Sequence, residues 1–318
     1  MRHTLEKVAY KLTRPRELAR FLSSPLFRER SNSHKVLVVG SGRSGTTWLS
    51  ELINYDLKLR FVFEPLQGQW GINYKALKPW LCSDIEEISK PLENDLRHLF
   101  YGFYRGHRID TWNAKRLAIY NGRLVKTIRM QGLLSVVNRL FPEIKIVYIM
   151  RHPCGVLKSY YQHGWSLELS SISSSVSIDH PLVGDYMARL LASSSAVDQY
   201  IYFWAIENRI ALNQLGQIPH HLCFYEDLVG SSTQSMESLF GFLGKGAAGL
   251  ALENISRPSS HSGYLADISD SVRKASSLES WKTILPREDV DRCLAIVDEC
   301  GLSHIYTDEL LPLASQLR

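Results

Sequence analysis

Short apolar runs rich in β-branched residues recur along the chain, separated by longer stretches with helical spacing. Five of the runs read as buried strands: 35–39, 59–63, 123–128, 145–150 and 221–225. Each is apolar almost throughout rather than alternating, the pattern of a strand covered on both faces. The stretches 46–55, 132–140, 155–162, 197–215 and 235–243 place apolar residues at three- and four-residue intervals and read as helices. Strands alternating with helices predict a parallel sheet with helices on both faces, which binds ligands at the carboxyl ends of its strands. Two long insertions, about 64–120 and 163–197, are placed to cover that end as helical elements. The more polar segment 257–318 is expected to wrap the same domain.

The glycine-rich stretch Val36–Leu49 closes the first strand and opens a helix. Gly40, Gly42 and Gly45 fit a dinucleotide-binding turn, and Glu64 ends the second predicted strand, where that reading wants an acidic residue. The same loop fits a phosphate loop whose lysine position is Thr46, with Arg43 as its cation. Both readings share one piece of physics: a tight turn aims the first N–H groups of a helix at an anion. Arg43, Ser44, Gly45, Thr46, Thr47 and Trp48 add a cation, three hydroxyls and an indole. A second segment, Val147–Tyr161, ends a strand at Met150, then runs through Arg151 and Pro153 into a helix bearing Ser159. An arginine fork and a hydroxyl across a strand–helix turn suit a second anion.

The first loop resembles the 5′-phosphosulfate loop of the sulfotransferases that use 3′-phosphoadenosine 5′-phosphosulfate (PAPS). The second resembles their 3′-phosphate motif, R-x-P-x-x-x-x-x-S, at the same spacing. Tyr225–Leu228 looks like the family's Y-E-D-L segment, and Arg273 lies where a basic C-terminal loop returns to the 3′-phosphate. The resemblance spans residues 35 to about 300. It implies a P-loop NTPase-like α/β fold, PAPS as donor with PAP as product, and no metal requirement. By matched position Arg43, Ser44, Gly45, Thr46, Thr47, Trp48, Arg151, Ser159, Tyr225 and Arg273 hold the nucleotide, with Trp48 on the adenine face. The cytosolic members' K-T-H histidine is replaced here by Lys126-Thr127-Ile128. Phe63-Glu64-Pro65-Leu66 resembles the F-E-P-L segment of carbohydrate 6-O-sulfotransferases, which makes Glu64 the candidate base, with Arg43 and Lys126 as catalytic cations. That resemblance points to a glycan or other hydroxylated small molecule as acceptor; the lack of an apolar run long enough for a membrane anchor departs from the Golgi carbohydrate enzymes, so a soluble bacterial-type enzyme is expected.

Composition narrows this only a little. The chain has 318 residues, 45% apolar and 22% charged, with a formal charge of +5. That balance permits an ordinary core and anionic ligands and does not indicate nucleic acid. Cys82, Cys154, Cys223, Cys293 and Cys300 make no C-x-x-C pair, so reduced thiols in a cytoplasmic protein are expected. Residues 1–34 are expected to form an N-terminal helical extension on a catalytic domain spanning 35–318. Leu5, Val8, Ala9 and Leu12 give residues 1–22 an apolar stripe suited to packing or to membrane-surface contact. The oligomeric state is not specified by the sequence.

Overall fold

The computed structural model describes residues 28–68, 71–81, 87–106, 108–110, 113, 119–164, 166–176, 179–230, 233–246 and 278–313. The stripe in residues 1–22, Arg273 and Cys82 lie outside them, as do Trp70, His107 and Trp112 of the first insertion. The strands are β1 (Arg28–Gly40), β2 (Leu59–Phe63), β3 (Ile119–Thr127), β4 (Lys145–Met150) and β5 (His221–Phe224). The helices, in chain order, begin with α1 (Thr46–Ile53), α2 (Lys90–Tyr101), α3 (Leu134–Leu140) and α4 (Pro153–His163). They continue with α5 (Leu169–Ser173), α6 (Gly184–Ala192), α7 (Ala196–Leu215) and α8 (Tyr225–Val229). The last three are α9 (Thr233–Leu243), α10 (Ser280–Ile284) and α11 (Arg287–Glu299). None of the described helices is long and apolar enough to cross a membrane.

The five strands form one parallel sheet in the order β2-β3-β1-β4-β5. It is a P-loop NTPase-like α/β sheet. Alternate residues serve two cores. Leu37, Val39, Val125, Ile146 and Tyr148 face α2, α3, α4, α7 and α11. Val36, Val38, Phe61, Leu124, Val147 and Ile149 face α1 and α9 through Leu49, Ile53, Met236 and Phe240. Burial on both sides is why the strands read as continuous apolar runs. The chain leaves β1 toward β3 and β2, then returns to add β4 and β5 on the other side. This reversal opens a crevice between the carboxyl ends of β1 and β4, the position where such sheets bind ligands.

β1 begins at Arg28, earlier than the strand expected from Lys35. Its first part pairs Arg28 with Ile119 and Glu29 with Tyr120, then shifts register before His34 pairs with Gly122. Polar residues are tolerated there because charge is matched. Glu29 meets Arg60 at 3.4 Å and Arg123 at 2.7 Å, and Arg60 reaches Asp110 at 3.1 Å. The Tyr104 ring lies against both guanidiniums, 4.8 Å from Arg60 and 5.1 Å from Arg123. Apolar periodicity does not report a strand stabilised by such a cluster.

Candidate functional site

The loop after β1 turns within a few residues. Ser44 N–H donates to the Ser41 carbonyl at 3.2 Å, and Gly45 caps α1 with φ +90°. A side chain at Gly45 would be strained and would place its Cβ 2.7 Å from the Tyr225 ring, so only glycine fits. No side chain caps α1. Its opening N–H groups, at Thr46 and Thr47, have no acceptor within the helix and point out of its N-terminus. Ser44 Oγ is buried and has no hydrogen-bond partner. A buried unsatisfied hydroxyl is costly unless something outside the protein meets it. Glycine turn, orphan hydroxyl and helix terminus together fit a bound oxyanion.

Arg43 adopts φ +69° and Glu64 adopts φ +43°. A left-handed non-glycine residue costs on the order of 1–3 kcal/mol and concentrates at functional sites. Both residues follow strands at the carboxyl edge of the sheet, Arg43 in the loop after β1 and Glu64 directly after β2. Arg43 Nε donates to Ser159 Oγ at 2.8 Å. His163 Nδ1 lies 2.7 Å from the Ser159 carbonyl and donates to it, leaving Nε2 to accept from Arg43 Nη2 at 3.0 Å. Burial, with Arg43 beside it, holds His163 below its ordinary pKa, in keeping with a neutral ring. Burial pulls the Arg43 guanidinium down to about 10, and the neighbouring Arg151 charge adds to the shift. Two cations crowded in a buried crevice favour an anion between them.

Arg151 follows β4 at the same edge. Its Nη1 donates to the Arg43 carbonyl at 3.1 Å, and its guanidinium lies 4.3 Å from the Tyr225 ring centre. Gly155 leaves it room, since a Cβ there would sit 3.2 Å from Arg151 Nε. Tyr225 opens α8 rather than ending β5, and meets Trp48 edge-on at 5.7 Å. Ser159 is thus tied to Arg43, while Arg151 holds the loop backbone and the aromatic pair. The two anion motifs read from the sequence share one crevice.

His152 between them is structural. Its Nδ1 accepts from Cys154 N–H at 3.2 Å, its Nε2 donates to the Thr307 carbonyl at 2.8 Å, and its ring stacks on Trp281. Glu226 of the Y-E-D-L segment accepts from His152 N–H at 2.8 Å and from the Tyr306 hydroxyl at 3.0 Å. That carboxylate fastens the β4–α4 turn, a role that the sequence does not signal.

On the other side of β1, Glu64 sits 4% exposed at the end of β2. Its Oε1 pairs with Lys126 of β3. Its Oε2 accepts from Ile128 N–H at 3.3 Å and lies 3.7 Å from Arg129 Nη1. Burial lowers the Lys126 pKa, Glu64 opposes that, and Arg129 and Arg43 lower it further. Those couplings connect Lys126 electrostatically to the anion loop. Trp80, from the first insertion, carries Arg129 over its ring at 5.9 Å. Of the residues expected at the site, all but Arg273 are in the described part, and those described lie around this one crevice or its flank. Sequence reasoning missed His163, Glu207 and Gln131; the last two lie behind the loop. A lone carboxylate within the apolar stretch Trp204–Ala211 was the available signal for Glu207.

Among the described residues no cluster of His, Cys, Asp or Glu could hold a metal ion. Cys154, Cys223, Cys293 and Cys300 are buried and form no disulfide among the described residues. The family model described as Sulfotransferase domain matches residues 33–292. Among solved structures, the chain is similar to the sulfotransferase domain from the curacin biosynthetic pathway, at 17% identity and a TM-score of 0.45, covering 84% of this chain and 98% of that one. It is also similar to the sulfotransferase domain of the Synechococcus PCC 7002 olefin synthase, at 12% identity and a TM-score of 0.44, covering 86% and 96%. A third is mouse sulfotransferase SULT7A1 complexed with PAP, at 15% identity and a TM-score of 0.42, covering 92% and 91%. Among curated proteins, none matches the sequence.

Proposed function

The chain belongs to the sulfotransferase family, whose donor is PAPS, and from that premise we propose a division of labour among the residues of the crevice. Arg43, the hydroxyls of Ser44, Thr46 and Thr47, and the opening N–H groups of α1 hold the 5′-phosphosulfate end. Arg151 and Ser159 hold the 3′-phosphate, and Trp48 and Tyr225 flank the adenine. Arg273 is proposed to join them from the C-terminal region. The observation that carries this reading is the linkage of the two motifs: Arg43 bonds Ser159 while Arg151 bonds the Arg43 carbonyl. Two anion sites that share side chains suit a nucleotide with a phosphate at each end.

The donor supplies the sulfuryl group and a phosphate leaving group. Arg43, Lys126 and the helix N–H groups provide preorganised positive charge for the transferred group and for the phosphate left behind. Glu64 is proposed as the base that takes the acceptor's hydroxyl proton. Among the described residues its second oxygen meets Thr127, Ile128 N–H and the more distant Arg129. The acceptor is proposed to be a hydroxylated small molecule or glycan. The test is transfer of labelled sulfate from PAPS to a panel of sugars, phenols and aliphatic alcohols. Transfer to a sugar or alcohol that Glu64→Gln abolishes supports the reading; transfer only to phenols, unchanged in the variant, overturns it.

A further inference from the structure

Helix α7 is buried along most of its length, and within its apolar stretch lies Glu207, 2% exposed. It faces the back of the anion loop. Gln131 Nε2 lies 3.1 Å from Glu207 Oε1 and also reaches the carbonyls of Gly40 at 3.4 Å and Ile128 at 3.2 Å. The Ser41 hydroxyl hydrogen-bonds the same carboxyl group and accepts from Asn208 Nδ2 at 3.0 Å. Asn208 Oδ1 in turn accepts from the Tyr148 hydroxyl of β4 at 3.1 Å. Through Gln131 and Ser41, Glu207 therefore links Gly40, the last residue of β1, and Ser41, which opens the loop, to α7 and to the β3–α3 turn.

Every group that touches Glu207 is neutral. Among the described residues no Lys, Arg or His comes within ion-pair distance of it. The charged and titratable groups that act on it are Glu64 after β2, Arg129 after β3, Tyr148 on β4 and Tyr160 on α4. An ionised carboxylate buried without a cation is strongly disfavoured. Burial pushes Glu207 up to about 8; the Ser41 hydrogen bond and the Arg129 charge lower it, and the Glu64 charge raises it further.

We propose that Glu207 is a positioning residue that works uncharged: as a neutral acid it holds Gly40 and Ser41 in the anion-binding turn, and its ionisation places a negative charge behind the loop that drives the donor nucleotide out. The inference rests on the donor-binding reading above. In physical terms, the anion favours the protonated acid, so affinity falls as pH rises through the acid's titration, by at most about tenfold per pH unit for one group.

The experiment is calorimetric titration of the full chain with PAP from pH 6.5 to 9.5, for the wild type and for Glu207→Gln, the neutral isostere. Lys158, held down to about 8 chiefly by burial, titrates in this window in both proteins, and Arg43, at about 10, starts to lose its proton at the upper end. The difference between the two profiles therefore isolates Glu207. The expected result is similar affinity at pH 7, with the wild type weakening several-fold more than the variant by pH 9. Superimposable profiles overturn the inference and leave the donor reading standing. Failure of the wild type to bind PAP at pH 7 overturns both. If Glu207→Gln melts at room temperature, Glu207→Asp takes its place. It retains a titrating acid in altered contact with Ser41, so the alkaline limb must move along the pH axis; an unmoved limb overturns the inference.

Discussion

Replacing Glu64 by Gln removes one charge from a buried pair while keeping its shape and an acceptor for the Lys126 amine. Breaking a buried ion pair by deleting one partner costs about 3–5 kcal/mol, because the remaining charge is stranded. Lys126, 4% exposed, has one escape: it sheds its proton. From an ordinary value of 10.5, that route costs at most ~5 kcal/mol at pH 7 and ~2 kcal/mol at pH 9, at 1.36 kcal/mol per unit. The sign is fixed by linkage. An amine whose folded pKa is depressed binds fewer protons in the native state, so its contribution to stability rises with pH until the unfolded value is passed. Glu64→Gln depresses Lys126 further, so the variant's stability deficit must shrink between pH 7 and pH 9. In transfer, loss of a general base lowers kcat by roughly 10²–10⁴-fold. The assays are chemical denaturation at the two pH values, PAP titration, and single-turnover transfer to an accepted hydroxyl compound. Near-wild-type transfer by Glu64→Gln refutes the assignment of the base. A stability deficit that does not change with pH refutes the account of Lys126.

Other perturbations give equally definite results. Arg151→Ala removes a charge-assisted phosphate contact worth about 1.5–3 kcal/mol, so PAP binding measured by calorimetry weakens by roughly 10–150-fold. Gly45→Ala forces a Cβ into the Tyr225 ring at a positive φ. Its melting temperature falls, by about 1–3 kcal/mol of stability, and PAP protection is lost. Asp110→Ala takes from Arg60, 1% exposed at the far end of the sheet, its better-buried carboxylate and leaves it Glu29 at 3.4 Å. It lowers stability by about 3–5 kcal/mol in denaturant while leaving the PAP affinity of the folded fraction unchanged.

The sheet was legible because each strand is buried on both faces, which leaves a run of apolar residues too short for a helix. The crevice was legible because glycine at position 45 and arginine after β4 have few alternatives once a tight anion-binding turn is required. What escaped depends on contacts between residues far apart in sequence. The polar start of β1 is held by Glu29 against Arg60 and Arg123, which lie on two other strands. Ser159 was read as a partner of Arg151 in one phosphate site, yet its hydroxyl receives Arg43, because α4 brings it back over the first loop. His163 joins the same contact from the end of that helix. Tyr225 opens a helix rather than closing β5, a shift of one residue that local pattern does not resolve. Glu207 was missed because its partners, Gln131 and Ser41, come from distant parts of the chain.

The most direct test of the account is a thermal-shift titration of the chain with PAP, against ATP with magnesium and against NADPH. At 100 times its Kd, PAP is expected to stabilise the protein by roughly 2.7 kcal/mol, with no comparable shift from the other two and none for Arg151→Ala. A shift produced by ATP or NADPH but not by PAP would contradict the two-anion crevice at its root.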